Sequence, residues 1–77
     1  MPKLPRLSGY ETIRALPKLG FIKKRQKGSH VVLVKVTKQG KVGCAVPLHK
    51  ELETGTLLGI LRQAKINREE FLKILEK

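Results

Sequence analysis

Residues 21–47 run Phe21-Ile22-Lys23-Lys24-Arg25-Gln26-Lys27, then Gly28-Ser29, then His30-Val31-Val32-Leu33-Val34-Lys35-Val36, then Thr37-Lys38-Gln39-Gly40, and finally Lys41-Val42-Gly43-Cys44-Ala45-Val46-Pro47. Three short runs separated by two glycine-containing turns, the middle one nearly all β-branched or apolar, predict strands over Phe21–Lys27, His30–Val36 and Lys41–Val46, joined as an antiparallel meander. Pro47 has no N–H to give to a ladder and ends the third strand. Alternation puts His30, Val32, Val34 and Val36 on one face of the middle strand and Val31, Leu33 and Lys35 on the other. Both faces are apolar, so the pattern does not say which one packs inward.

Working outward to the N-terminus, Ser8-Gly9-Tyr10-Glu11 matches a capping box, with the Ser8 hydroxyl and the Glu11 carboxylate exchanging hydrogen bonds with each other's backbone N–H. The helix it starts carries Tyr10, Ile13, Leu16 and Leu19 as an apolar stripe. Pro17 removes a donor from that helix and clashes with its previous turn, so the helix kinks there or ends near Leu16, and Gly20 suits the residue just past the end. Residues 1–7, with two prolines and no period, read as an extended arm.

Towards the C-terminus, Thr54 is the expected N-cap of a second helix, with Leu57, Leu61 and Ala64 on one face and Leu58 and Ile60 widening it. Asn67-Arg68-Glu69-Glu70 is a second capping box, and Ile66 and Phe71 stand at the positions of a hydrophobic staple. The third helix is expected to turn Phe71, Leu72 and Leu75 inward. The order is α-β-β-β-α-α, an α+β fold with helices on one face of a three-stranded antiparallel sheet. At 77 residues the chain is expected to be a single domain over 1–77.

Seventeen Lys and Arg oppose six Asp and Glu, a formal charge of +11. Residues 1–50 hold 12 Lys/Arg and one acid, Glu11, whereas residues 51–77 hold five of each sign. A charge present only for solubility has no reason to be segregated in this way. The split points to a polyanionic partner, nucleic acid before membrane surface, with the densest run at Lys23, Lys24, Arg25 and Lys27. One cysteine, Cys44, allows no intrachain disulfide framework and no cysteine-based zinc site, which fits a reducing, cytoplasmic setting. No apolar run approaches a membrane span, and residues 1–15 lack the apolar stretch of a signal peptide.

Few residues offer chemistry. The acids lie mostly at capping and surface positions of the C-terminal third, the glycines have no phosphate-loop spacing, and two His with one Cys have no metal-ligand spacing, so neither metal nor other cofactor is expected. Cys44 reads as a small buried residue. His30 opens a strand directly after the basic run. Imidazole takes and gives protons near neutral pH, and RNA carries its own nucleophile, the 2′-hydroxyl, so a base flanked by cations suffices for cleavage. On spacing alone, a single histidine at a strand end is more often structural or simply exposed. His49, after Pro47-Leu48, is weaker still. Tyr10, Phe21 and Phe71 are the only aromatics. All three read as core, which leaves little for base stacking and predicts loose sequence preference.

Gly20-Phe21, Arg25-Gln26-Lys27-Gly28-Ser29-His30, Val46-Pro47-Leu48-His49, Leu52 to Ile60 with Thr54-Gly55-Thr56-Leu57, and Arg68-Glu69-Glu70-Phe71-Leu72 together resemble the HicA (YcfA-like) family of toxins from toxin–antitoxin pairs. The likeness spans about Ser8 to Leu75, and Gln26 to His30 is its most specific part. It implies a double-stranded-RNA-binding-domain-like fold, an mRNA interferase that needs no metal, and inhibition by a HicB-type antitoxin. The resemblance maps the family's catalytic histidine onto His30. The basic run Lys23, Lys24, Arg25 and Lys27, together with Ser29, is expected to hold the RNA backbone beside it. His49 sits where many members have a histidine and is a secondary candidate, as an acid for the departing 5′-oxygen or a phosphate contact. The sequence departs from the family at Pro17, at Lys65, where a glycine commonly ends the second helix, and at Val31-Val32 after the histidine. The competing expectation is a non-catalytic module that grips double-stranded RNA by shape.

Overall fold

A computed structural model describes residues 4–75. The elements are α1 (Gly9–Ala15), a 3-10 turn (Leu16–Leu19), β1 (Ile22–Lys27), β2 (His30–Thr37), β3 (Gly40–Pro47), α2 (Thr54–Gln63) and α3 (Arg68–Leu75). The sheet is antiparallel in the order β1-β2-β3. This is the expected α-β-β-β-α-α fold, and most of its boundaries, though not the start of α2, have a local cause.

The Ser8–Glu11 capping box forms in both directions, at 3.0 Å and 2.9 Å. Pro17 falls at the start of the 3-10 turn, where a missing donor is least costly, and Gly20 closes the turn at φ 95°. The first helical segment therefore tightens at the proline rather than kinking. At α3 the Asn67 Oδ1 accepts the Glu70 N–H at 2.8 Å, and the Glu70 carboxylate accepts the Asn67 N–H at 3.2 Å. The start of α2 differs from expectation. Glu53 is its N-cap, with no side-chain cap bond, and Thr54 is already helical. Packing of Leu57, Ile60 and Leu61 holds this helix in place of a cap.

Val31 and Leu33 of β2 face inward with Cys44 and Val46 of β3, against Leu16, Phe21, Leu57, Ile60, Leu61 and Phe71. The opposite face, carrying His30, Val32, Val34 and Val36, has no helix over it, and Val36 there is 72% exposed. Two assignments to the core change. Phe71 is fully buried as expected, but Leu72 and Leu75 are only half-buried. Tyr10 is 55% exposed, not core. The reason lies one residue earlier: a Cβ on Gly9 would stand 1.9 Å from the Pro47 carbonyl oxygen, so α1 lies with Gly9 flat against the end of β3. Thr12 and Ala15, three and six residues on, follow Gly9 into the interior, and Tyr10 turns outward. The buried Thr12 hydroxyl donates to the Ser8 carbonyl at 3.0 Å.

Of the arm expected over residues 1–7, the first three lie outside the described residues. Residues 4–7 have no regular structure and are held to the chain before α2: the Leu7 carbonyl accepts the Leu52 N–H at 2.7 Å, and Arg6 meets Glu51 at 2.6 Å.

Candidate functional site

The site is built at the end of the sheet where β1 turns into β2. Gly28, at φ 61°, takes the first central position of the two-residue turn, where a left-handed backbone is needed and glycine adopts it without steric cost. Lys27 and His30 are therefore directly paired across the strands. Directly opposed side chains on one sheet face have Cβ atoms roughly 4.5–5.5 Å apart. On its other side His30 is paired with Pro47 of β3. His30 is exposed, on the uncovered face of the sheet.

The basic run divides between the faces. Ile22 pairs with Val34, Lys23 with Leu33, Arg25 with Val32 and Lys27 with His30, with a register break between Lys23 and Arg25. Without that bulge, Ile22 and Arg25, three residues apart, would lie on opposite faces. With it, Arg25 and Lys27 share the outer face with His30, while Lys23 goes with the inner-face residue Leu33. Lys24 is the extra residue of the bulge. Lys23 lines a groove of about 250 Å³ beside α1 with Tyr10, Ile13, Arg14, Gln26, Val31 and Leu48. An exposed tyrosine in a cationic groove was not legible from the apolar stripe.

The backbone around His30 is fixed by the segment that follows β3. The Ser29 carbonyl accepts the Leu48 N–H at 2.7 Å, and the His49 carbonyl accepts the Gly9 N–H at 2.9 Å. The turn before His30, the loop bearing His49 and the first turn of α1 thus meet at one end of the sheet. The side chains of Ser29 and His49 are both exposed. Cys44 stands apart from this end, buried in mid-strand, and burial pushes its thiol up to about 11. A thiol held protonated in this way is a poor nucleophile. Among the described residues no three or more His, Cys, Asp or Glu side chains gather into a metal site. Nor is any described helix long and apolar enough to cross a membrane.

The family model for the HicA toxin of bacterial toxin–antitoxin systems matches residues 9–66. The chain belongs to the HicA toxin family. It is thus a toxin component, and its natural partner is an antitoxin. The match runs from the first residue of α1 to the link between α2 and α3, so it takes in the whole sheet with His30 and His49. Comparison with curated proteins and with solved structures finds no match.

Proposed function

We propose that this toxin is an endoribonuclease that cleaves mRNA with His30 as general base. The observation that carries the reading is the position of His30 in a HicA-family chain: exposed, outside the core, and paired with Lys27 on the face that also carries Arg25. His30 takes the proton of a ribose 2′-hydroxyl. The freed oxygen attacks the adjacent phosphorus, and the bond from phosphorus to the next nucleotide's 5′-oxygen breaks. That oxygen leaves with a proton, and the products are a 2′,3′-cyclic phosphate and a 5′-hydroxyl. Lys27 and Arg25 supply positive charge where it builds on the phosphoryl oxygens. Lys23, Lys24 and Ser29 serve in holding the strand. The departing oxygen takes its proton either from His30 itself or from His49, whose loop is bonded to the turn before His30. A HicB-type protein is the antitoxin that this reading expects to block the site.

The decisive experiment is incubation of the purified chain with RNA in EDTA, beside His30→Ala. The reading expects fragments ending in cyclic phosphate, with the rate falling by about 10²–10⁴-fold in the variant, as removal of a general base usually costs. RNA left intact by the wild type, but still bound, would instead assign the chain to the non-catalytic double-stranded-RNA module. Equal degradation by both proteins would remove His30 from the mechanism.

A further inference from the structure

The other end of the sheet holds a second concentration of charge that the chemistry at His30 does not use. Between the β2–β3 turn and the end of α2 lies a groove of about 340 Å³, lined by Lys35, Lys38, Lys41 and Lys65 together with Gln39 and Val42. No acidic residue lines it, and no carboxylate pairs with any of the four lysines among the described residues. Four like charges around one concavity repel one another, and a concave low-dielectric wall focuses their field outward.

Two of the four are held in ways that solubility does not require. Lys35 is half-buried, with its ammonium 5.9 Å from the Phe21 ring centroid, a contact that favours its charge near the groove wall. Lys65 has φ 56°, the one non-glycine residue in a left-handed conformation among those described. Glycine takes that position after a helix with least strain. Proximity to the α2 C-terminus favours a cation at Lys65, but it gives no account of Lys38 and Lys41 on the facing hairpin.

We propose that this groove is a second phosphate-binding site, which holds the RNA backbone away from the cleaved bond. The proposal rests on the reading of the chain as an RNA-cleaving enzyme. Lysine presents a flexible point charge suited to phosphates without sequence readout. The groove lacks the aromatic or large apolar anchor on which a protein partner's binding energy would centre. It also continues the basic edge of the sheet. From Lys27 beside His30, the run passes through Arg25, Lys24 and Lys23 to Lys35, whose side chain lies against Gly20 just before β1. His30 and Thr37 are seven residues apart along β2, a separation of roughly 23 Å at the usual strand rise. A short oligonucleotide cannot reach both sites, and a long strand can.

The test uses the full chain and 2′-O-methyl poly-uridine, which keeps the phosphates and cannot be cleaved through the 2′-oxygen. Lys38→Ala/Lys41→Ala/Lys65→Gly is compared with wild type and with Lys23→Ala/Lys24→Ala/Lys27→Ala by the dependence of log affinity on log salt. Each lost phosphate contact is expected to flatten the slope by about 0.7. Lys65→Gly alone removes charge while relieving backbone strain, so it is expected to raise Tm and weaken binding together, which a folding defect does not do. A flattened slope with unimpaired folding supports the groove. An unchanged slope for the groove variant, with a flattened one for the β1 variant, overturns the groove and leaves the ribonuclease reading standing. Unchanged slopes for both overturn RNA as the ligand of either surface. Unchanged RNA binding with weakened antitoxin binding overturns the proposal and assigns the groove to an acidic protein segment.

Discussion

The two ends of the sheet are built on different terms. At the Gly28-Ser29 end, three segments distant in sequence are fastened by backbone hydrogen bonds, from Leu48 to Ser29 and from Gly9 to His49, and Gly9 is in steric contact with Pro47. At the Lys38-Gln39 end the turn is held mainly by itself, the Thr37 hydroxyl accepting the Gln39 N–H at 3.2 Å and donating to the Gly40 carbonyl at 2.9 Å. Proton transfer needs atoms held within hydrogen-bond distance, whereas attraction of a polyanion tolerates moving charges. The fastened end is suited to chemistry and the self-contained end to electrostatics.

Breaking the fastened end should have the largest effect. Gly9→Ala forces a methyl group into a backbone carbonyl, and neither partner is a flexible side-chain tip. A loss of about 3 kcal/mol in denaturant-determined stability is expected, with cleavage falling further than the unfolded fraction explains because the His49 loop and the turn before His30 shift together. Unaltered stability would show that α1 does not seat against β3 as described.

Cys44 tests the packing between the ends. Its thiol is held neutral up to about pH 11, against an ordinary value of 9.0. A raised folded-state pKa contributes stability that is fully present below pH 9 and is lost as pH rises towards 11. The loss is on the order of 2 kcal/mol. Unfolding midpoints of wild type and Cys44→Ala should therefore converge across that interval. Curves that stay parallel would place the thiol in contact with water.

Asn67→Ala removes the cap bond of α3 and should cost about 1 kcal/mol, with the RNA salt dependence unchanged, because this helix lies outside both charged surfaces. Thr37→Ala should be milder, about 0.5–1 kcal/mol, for two exposed turn bonds. Cleavage of a short oligonucleotide at the far end should not change. A strong loss of that activity would mean that the two ends are mechanically coupled and the contrast between them is too sharply drawn.

The features legible in the sequence were those with local causes. Both capping boxes, the turn at Gly28 and the stop at Gly20 depend on residues a few positions apart, and each was found where the spacing put it. What escaped depends on partners far along the chain. Val31-Leu33 and Val32-Val34-Val36 look alike until helices cover one face. The stripe from Tyr10 to Leu19 looked decisive because its competitor, Gly9-Thr12-Ala15, is made of small or polar residues whose burial follows from the approach of Pro47. Thr54 looked like a cap because its type favours that role, yet packing started the helix one residue earlier. For the candidate site, the place of His30 at the start of the second strand, directly after the basic run, was legible in the sequence, whereas the division of Lys23 from Arg25 and Lys27 between the faces required the bulge. The lysine groove joins residues 35–41 to residue 65 only in the folded chain.

The register break between Lys23 and Arg25 has a further consequence. β1 is an edge strand, with one side of its backbone unpaired. Ile22, on its outer face, is 70% exposed, and Val32, Val34 and Val36 stand beside it. A flat strand of that composition would invite a second molecule to add its own edge and begin a continuous sheet. A bulge twists the edge out of register for such pairing, and successive cations along it repel an identical chain. The same kink that sets Arg25 on the face of His30 thus also makes this edge a poor template for a second copy of the chain.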